Sequence, residues 1–103
     1  MILYHFSTSP FARRVRLVLA LKGLSAELRD ARAIPEHRVE VNRLNPMHTV
    51  PVLVDDGEVV FDSSAICHYL ERKQPQPPLW PAGMAGAHAF QLIALVDAAT
   101  NTL

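Results

Sequence analysis

The stretch from Val50 to Ser64, Val-Pro-Val-Leu-Val-Asp-Asp-Gly-Glu-Val-Val-Phe-Asp-Ser-Ser, decides how this chain folds. Two apolar runs, Val52 to Val54 and Val59 to Phe61, flank Asp55-Asp56-Gly57-Glu58. The Asp-Gly step supplies the positive φ of a tight hairpin, so the runs pair as antiparallel strands. Pro51 heads the first run. It has no N–H, cannot extend a sheet ladder there, and leaves the backbone of Val50 open to a ligand. Asp62-Ser63-Ser64 then starts a helix, with Ser63 as the expected cap and Ile66, Tyr69 and Leu70 on one face, that stops before Pro75. Asp62 can hold an ammonium, while the Ser63 hydroxyl and the unbonded N–H groups of the first turn can hold a carboxylate. The two points together suit a small peptide that carries both charges.

Upstream, Ile2-Leu3-Tyr4-His5-Phe6 reads as a central strand buried on both faces. Ser7-Thr8-Ser9-Pro10 breaks it, and Ser9 followed by Pro10 has the form of an N-cap and first helical position. That helix runs through Phe11, Val15, Val18 and Leu19 to Gly23. Residues 26–30 form an outer strand, and Pro35 opens a polar helix that must stop near Asn45-Pro46. The order β-α-β-α-β-β-α, a strand-helix-strand crossover joined to a hairpin and a helix, predicts an α/β thioredoxin-like fold with a mixed four-stranded sheet between helices. Gln74 to Pro81 has four prolines in eight positions and reads as a stiff linker. Residues 1–80 are therefore expected to be the domain proper. Residues 81–103 are expected to hold the end of the linker and one further helix, with Phe90 and Ile93 on an apolar face that nothing following covers.

Composition narrows the function classes. A chain of 103 residues that is 50% hydrophobic and 19% charged folds into a core, and no apolar run reaches the roughly 18 residues that span a bilayer. Lys+Arg and Asp+Glu balance at ten each, which argues against nucleic acid or membrane as a partner held by bulk charge. A lone Cys67, read as a buried and inert thiol, and a start without the pattern of a leader give the expectation of a cytoplasmic protein. The five histidines show no paired ligand spacing, so no metal is expected.

Three motifs in order carry a resemblance: Ser9-Pro10-Phe11-Ala12-Arg13-Arg14-Val15-Arg16, Asn45-Pro46-Met47-His48-Thr49-Val50-Pro51, and Phe61-Asp62-Ser63-Ser64-Ala65-Ile66. Up to about Pro81 the chain resembles the N-terminal, glutathione-binding domain of the cytosolic glutathione transferases, of serine type. The resemblance implies that glutathione is a co-substrate whose thiolate attacks a small electrophile in a detoxification-type reaction. It also implies a cis bond before Pro51, a homodimer, and that residues 81–103 open a largely missing all-helical domain. A non-catalytic glutathione-binding or protein-interaction module of the same family is the alternative.

On that resemblance, Ser9 is the catalytic residue. A thiol of pKa about 8.5 needs a downward shift of about two units, or about 2.7 kcal/mol, to be mostly ionised at neutral pH. A hydroxyl donating to the charged sulfur contributes roughly 1.5 to 3 kcal/mol, and a helix N-terminus adds roughly 0.3 to 1. Ser7 is the runner-up and Thr8 the third candidate, while Ser9 is also an ordinary helix cap. Tyr4 is read as a packed aromatic, and Phe6, near the place of the hydroxyl in tyrosine-type relatives, has none. Phe11 is expected beside the ligand, the Val50 backbone against its cysteinyl unit, Asp62 and Ser63 at its γ-glutamyl end, and His48 and Thr49 at its glycyl end. Pro51 keeps the edge open. Arg13, Arg14 and Arg16 are expected on a solvated helix face.

Overall fold

In the computed structural model, which describes residues 1–79 and Gln91, the strands are β1 (Ile2–His5), β2 (Glu27–Asp30), β3 (Val52–Asp55) and β4 (Glu58–Phe61). The helices are α1 (Pro10–Leu21), α2 (Pro35–Leu44) and α3 (Ser63–Lys73). The sheet order is β2-β1-β3-β4, with β1 parallel to β2 and antiparallel to β3, and β3 antiparallel to β4. This is the expected mixed four-stranded thioredoxin-like arrangement, with β1 central. The expected linker end and helix of residues 81–103 lie outside the described residues, apart from Gln91.

The period-two alternation of strand side chains divides the core. Leu3 and Leu53, cross-strand partners, point to the face covered by Val15, Val18 and Leu19 of α1 and Ile66, Cys67 and Leu70 of α3. Tyr4 and Val52, the next pair, point to the opposite face, where Val41 of α2 and Ala31 complete a second cluster. Cys67 is buried and forms no disulfide. Among the described residues no helix is long and apolar enough to cross a membrane.

Local chemistry fixes the ends of the elements. Asp56 (φ 51°) and Gly57 (φ 85°) both adopt the positive φ that a two-residue hairpin loop requires. Gly23 (φ 66°) follows the cap Lys22, with Gly23 N–H donating to Ala20 O (3.1 Å) and Leu24 N–H to Leu19 O (2.9 Å), a left-handed stop that closes the last turn of α1. Two expectations shift here. β1 ends at His5, because the Phe6 carbonyl is taken by the Ser9 N–H (3.0 Å) in a turn. The cap of α3 is Asp62 and not Ser63, since the Asp62 carboxylate accepts from Ala65 N–H at 3.1 Å and Ser63 is already helical.

Two ionic knots tie the end of the domain away from the N-terminus of α1. The buried Lys22 ammonium donates to Gln74 O (2.6 Å) and Pro77 O (2.8 Å) and pairs with Glu71, whose carboxylate also accepts Leu79 N–H (2.9 Å). Residues 74–79 are thereby pinned to the C-terminus of α1. Asp55 Oδ2 accepts from both Tyr69 OH and Lys73 Nζ at 2.6 Å. Lys73 and then Tyr69 hold the Asp55 carboxyl below its usual range, and the same bonds raise both partners.

Candidate functional site

Just beyond the C-terminal end of β1 lies a cavity of about 610 Å³, where the first strand gives way to Phe6 and the N-termini of α1 and α3 meet the segment before β3. Crevices outside the carboxyl ends of strands are the usual ligand sites of open α/β sheets. Ser9, Phe11, His48, Thr49, Val50, Pro51, Asp62 and Ser63 all line it, as does Thr8. Ser7 does not line it, and Tyr4 is buried under α2 with its hydroxyl accepting from Arg29 Nη1 (3.0 Å).

Each wall has a local cause. Ser9 has extended backbone (φ −73°, ψ 124°) and its Oγ accepts Ala12 N–H at 3.2 Å. The cap bond uses one lone pair of the hydroxyl and leaves its proton for another acceptor. Asp62 sits at φ 76°, ψ 127°, a region costly for any residue but glycine, and one carboxylate oxygen caps α3. Strain of this kind persists where surrounding structure enforces it. The N–H groups of Ser63 and Ser64, in the first turn, have no intrahelical acceptor.

The third wall is the loop from Pro46 to Pro51, shaped by a buried residue. Asn45 Nδ2 donates to Thr49 O (2.9 Å) and Thr49 Oγ1 (3.1 Å), its Oδ1 accepts Met47 N–H (2.9 Å), and its carbonyl accepts His48 N–H (2.9 Å). His48 takes φ 57° in this turn, and the Val50–Pro51 peptide bond is cis. The ladder between β1 and β3 stops at Val52, short of Val50.

Three contributors escaped the sequence reading. Arg32 and Arg38 line the cavity with their guanidinium carbons 4.7 and 5.7 Å from the Phe6 ring centroid. Arg32 Nη1 donates to Thr8 Oγ1 (3.2 Å) and Arg38 Nη2 to His48 O (3.0 Å). Arg38 sits in a helix whose polar pattern reads as solvated, and Arg32 in the turn before it. The signal of Arg32 is topological, since it lies two residues past the end of β2, parallel to β1, and so must emerge at the same sheet end. Met47, half exposed on the rim, is the third. Two arginines and two helix N-termini against Asp62 make the pocket anion-seeking at most points and cation-seeking at one.

Behind the pocket, Arg16 departs from its expected solvated face. It is half-buried, with Nη1 donating to His5 Nδ1 (2.8 Å) and Nη2 to Ser7 O (3.3 Å). Arg13 and Arg14 are likewise half-buried. Burial, then the Arg16 charge, push the His5 ring below its ordinary range, with Asp30 opposing. Hydrogen bonds from the Ala33 and Arg32 N–H groups hold the Asp30 carboxyl below its usual value.

Residues 3–78 match the family model described as glutathione S-transferase, N-terminal domain. The chain belongs to the glutathione S-transferase family. It is 44% identical over 81 residues to "Glutathione S-transferase Z1" of Arabidopsis thaliana, an overlap covering 77% of this chain and 37% of that protein. Among solved structures, the holo form of maleyl pyruvate isomerase, a bacterial glutathione S-transferase of zeta class, superposes with a TM-score of 0.75 at 33% identity, over 93% of this chain and 46% of the other. A glutathione transferase homolog from Drosophila mojavensis with bound glutathione gives a TM-score of 0.70 at 33% identity, over 94% of this chain and 43% of the other. The chain spans less than half the length of each of these transferases.

Proposed function

We propose that this domain binds glutathione and stabilises its thiolate for attack on a small electrophile, as part of a glutathione transferase. The observation that carries the reading is the convergence on one cavity of two helix N-termini, the Val50 backbone outside the β1–β3 ladder, and the Asp62 carboxylate. That set suits a short peptide that carries an ammonium and carboxylates, as glutathione does.

In this reading the second oxygen of Asp62 holds the γ-glutamyl ammonium. The Ser63 hydroxyl and the first N–H groups of α3 hold the adjoining carboxylate. Val50 pairs its backbone with the cysteinyl unit as an added strand, Pro51 keeping that edge from being used by the sheet. His48 and Thr49 face the glycyl carboxylate, with Arg38 adding charge beside them. Phe11 walls the cysteinyl side. Ser9, fixed by its cap bond, donates its remaining proton to the sulfur, where the N-terminus of α1 adds its dipole. A hydroxyl and a helix end together supply the approximately 2.7 kcal/mol that ionises a thiol at neutral pH.

The relatives named as transferases and as an isomerase support this reaction class. The same proposal takes residues 1–80 as the glutathione-binding domain and 81–103 as the opening of a helical one, and it includes a second copy as dimer partner and a cytosolic setting.

Calorimetric titration with glutathione tests the socket, and ultraviolet absorbance of the bound thiolate against pH tests Ser9. Ser9→Ala is expected to retain binding but raise the bound thiol pKa by about one unit or more. Absence of heat with the parent chain sinks the socket. An unchanged thiol pKa in Ser9→Ala removes the serine from its role and leaves a binding module.

A further inference from the structure

We infer that His5 and Arg16 are positioning residues for Ser9, holding the Ser7–Ser9 loop so that its hydroxyl meets an anionic sulfur, and that protonating His5 releases that loop. The inference rests on the glutathione reading of the pocket and adds to it a built-in acid limit.

Arg16 of α1 holds the loop at Ser7, donating to the Ser7 carbonyl at 3.3 Å. One residue on, Arg32 holds Thr8 (3.2 Å), and Ser9 itself is tied through its N–H to Phe6 O (3.0 Å). The other guanidinium nitrogen of Arg16 is anchored on His5 Nδ1 at 2.8 Å. A guanidinium has donors and no acceptor, so His5 Nδ1 must be the acceptor and the neutral ring must carry its proton on Nε2.

Protonation removes that acceptor. Both ring nitrogens then carry hydrogens, and two like charges face each other across a bond's length. Arg16 has to turn away, and the tie to Ser7 goes with it. Burial of His5 and the Arg16 charge move this event below the ordinary histidine range, against the pull of Asp30. Arg13, beside Arg16 on α1, adds further positive charge on the same side. The charged groups that set the His5 titration are thus Arg16 from α1 and Asp30 from β2, with Arg13 acting on Arg16.

The test compares two glutathione derivatives that do not titrate at sulfur. Glutathione sulfonate carries a permanent anion at the sulfur position, and S-methylglutathione carries none. Their affinity ratio, measured by calorimetry from pH 8 to pH 5, reports how well Ser9 faces an anion. For the parent, the ratio is expected to fall by about fivefold on acidification, in line with the weakening of one charge-assisted hydrogen bond. His5→Asn, which keeps an acceptor near the Nδ1 position and cannot titrate, is expected to hold the ratio flat. Arg16→Met is expected to show the reduced ratio at every pH while binding S-methylglutathione as the parent does, and Arg16→Lys, with one ammonium for two acceptors, is expected to fall between. Added positive charge at His5 would by itself strengthen anion binding, so the sign of the change separates loop release from bulk attraction. A ratio in the parent that rises or stays level, or one that falls equally in His5→Asn, overturns the inference whether or not Arg16→Met folds. Failure of the parent to bind S-methylglutathione at all overturns the glutathione reading and this inference with it, whereas normal binding with an unchanged ratio in Arg16→Met overturns this inference alone.

Discussion

The two ends of α1 dispose of charge in opposite ways. At the C-terminal end, Lys22 is buried and its ammonium is closed off by two carbonyls and Glu71, and close by, the Asp55 carboxylate is shared between Tyr69 and Lys73. At the N-terminal end, Ser9 and Asp62 each spend one oxygen on a helix cap, and the rest of their capacity faces an open cavity beside Arg32 and Arg38. The backbone follows the same division. Positive φ at the far end falls on Gly23, Asp56 and Gly57, in turns that call for it, whereas at the pocket it falls on His48 and Asp62. Polar groups satisfied by one another hold a fold; polar groups satisfied halfway, on a rigid frame, await a ligand.

Substitutions at the two ends should therefore separate stability from affinity. The largest effect is expected at Lys22: Lys22→Met leaves Glu71 and two carbonyls without their cation and should cost about 3 kcal/mol in urea denaturation, with the glutathione affinity of the folded protein unchanged. A loss of affinity there would break the division. Next, Asp62→Ala should weaken glutathione by roughly tenfold to a hundredfold in calorimetry, the range of one charge-assisted hydrogen bond. Asp62→Gly should lose the same affinity yet be more stable than Asp62→Ala by about 1 kcal/mol, because only glycine accepts φ 76° without cost. Equal stability of the two would show that the strain is not there.

The smallest effect is a pH slope. The folded state holds the Asp55 carboxyl below its unfolded value, so its contribution is complete above about pH 4 and is lost as the pH falls through the lower folded value. Stability measured by thermal denaturation should decline over that acid range, and Asp55→Asn should flatten the decline. A slope unchanged in Asp55→Asn would assign the acid limb to other carboxylates, Asp30 among them.

The far end was largely invisible in the sequence and the pocket largely visible, for a physical reason. Ser-Pro, Val-Pro and Asp-Ser-Ser are local punctuation, since each acts on the backbone within a few residues of itself, and their order alone placed three walls of the cavity. The Asp-Gly hairpin and the alternation in β1 and β3 were legible on the same grounds. Lys22 bonds to residues more than fifty positions away, so nothing near it in the chain announces burial. Arg16, Arg32 and Arg38 resemble any solvated arginine until the sheet end they share is known. Asp62 is legible as an acidic residue at a helix start but not as the cap, because serine and aspartate compete for that position on equal terms.

The cavity is assembled from segments between Phe6 and Ser63, on both sides of the central strand. No single segment of the domain contains all of it. Occupancy is consequently linked to the unfolding of the whole domain and not of a local piece, and mass action makes the ligand a folding cofactor: at a concentration one hundred times its dissociation constant it deepens the native well by about 2.7 kcal/mol. On the glutathione reading proposed above, cells rich in the tripeptide would keep such a domain folded merely by keeping it loaded.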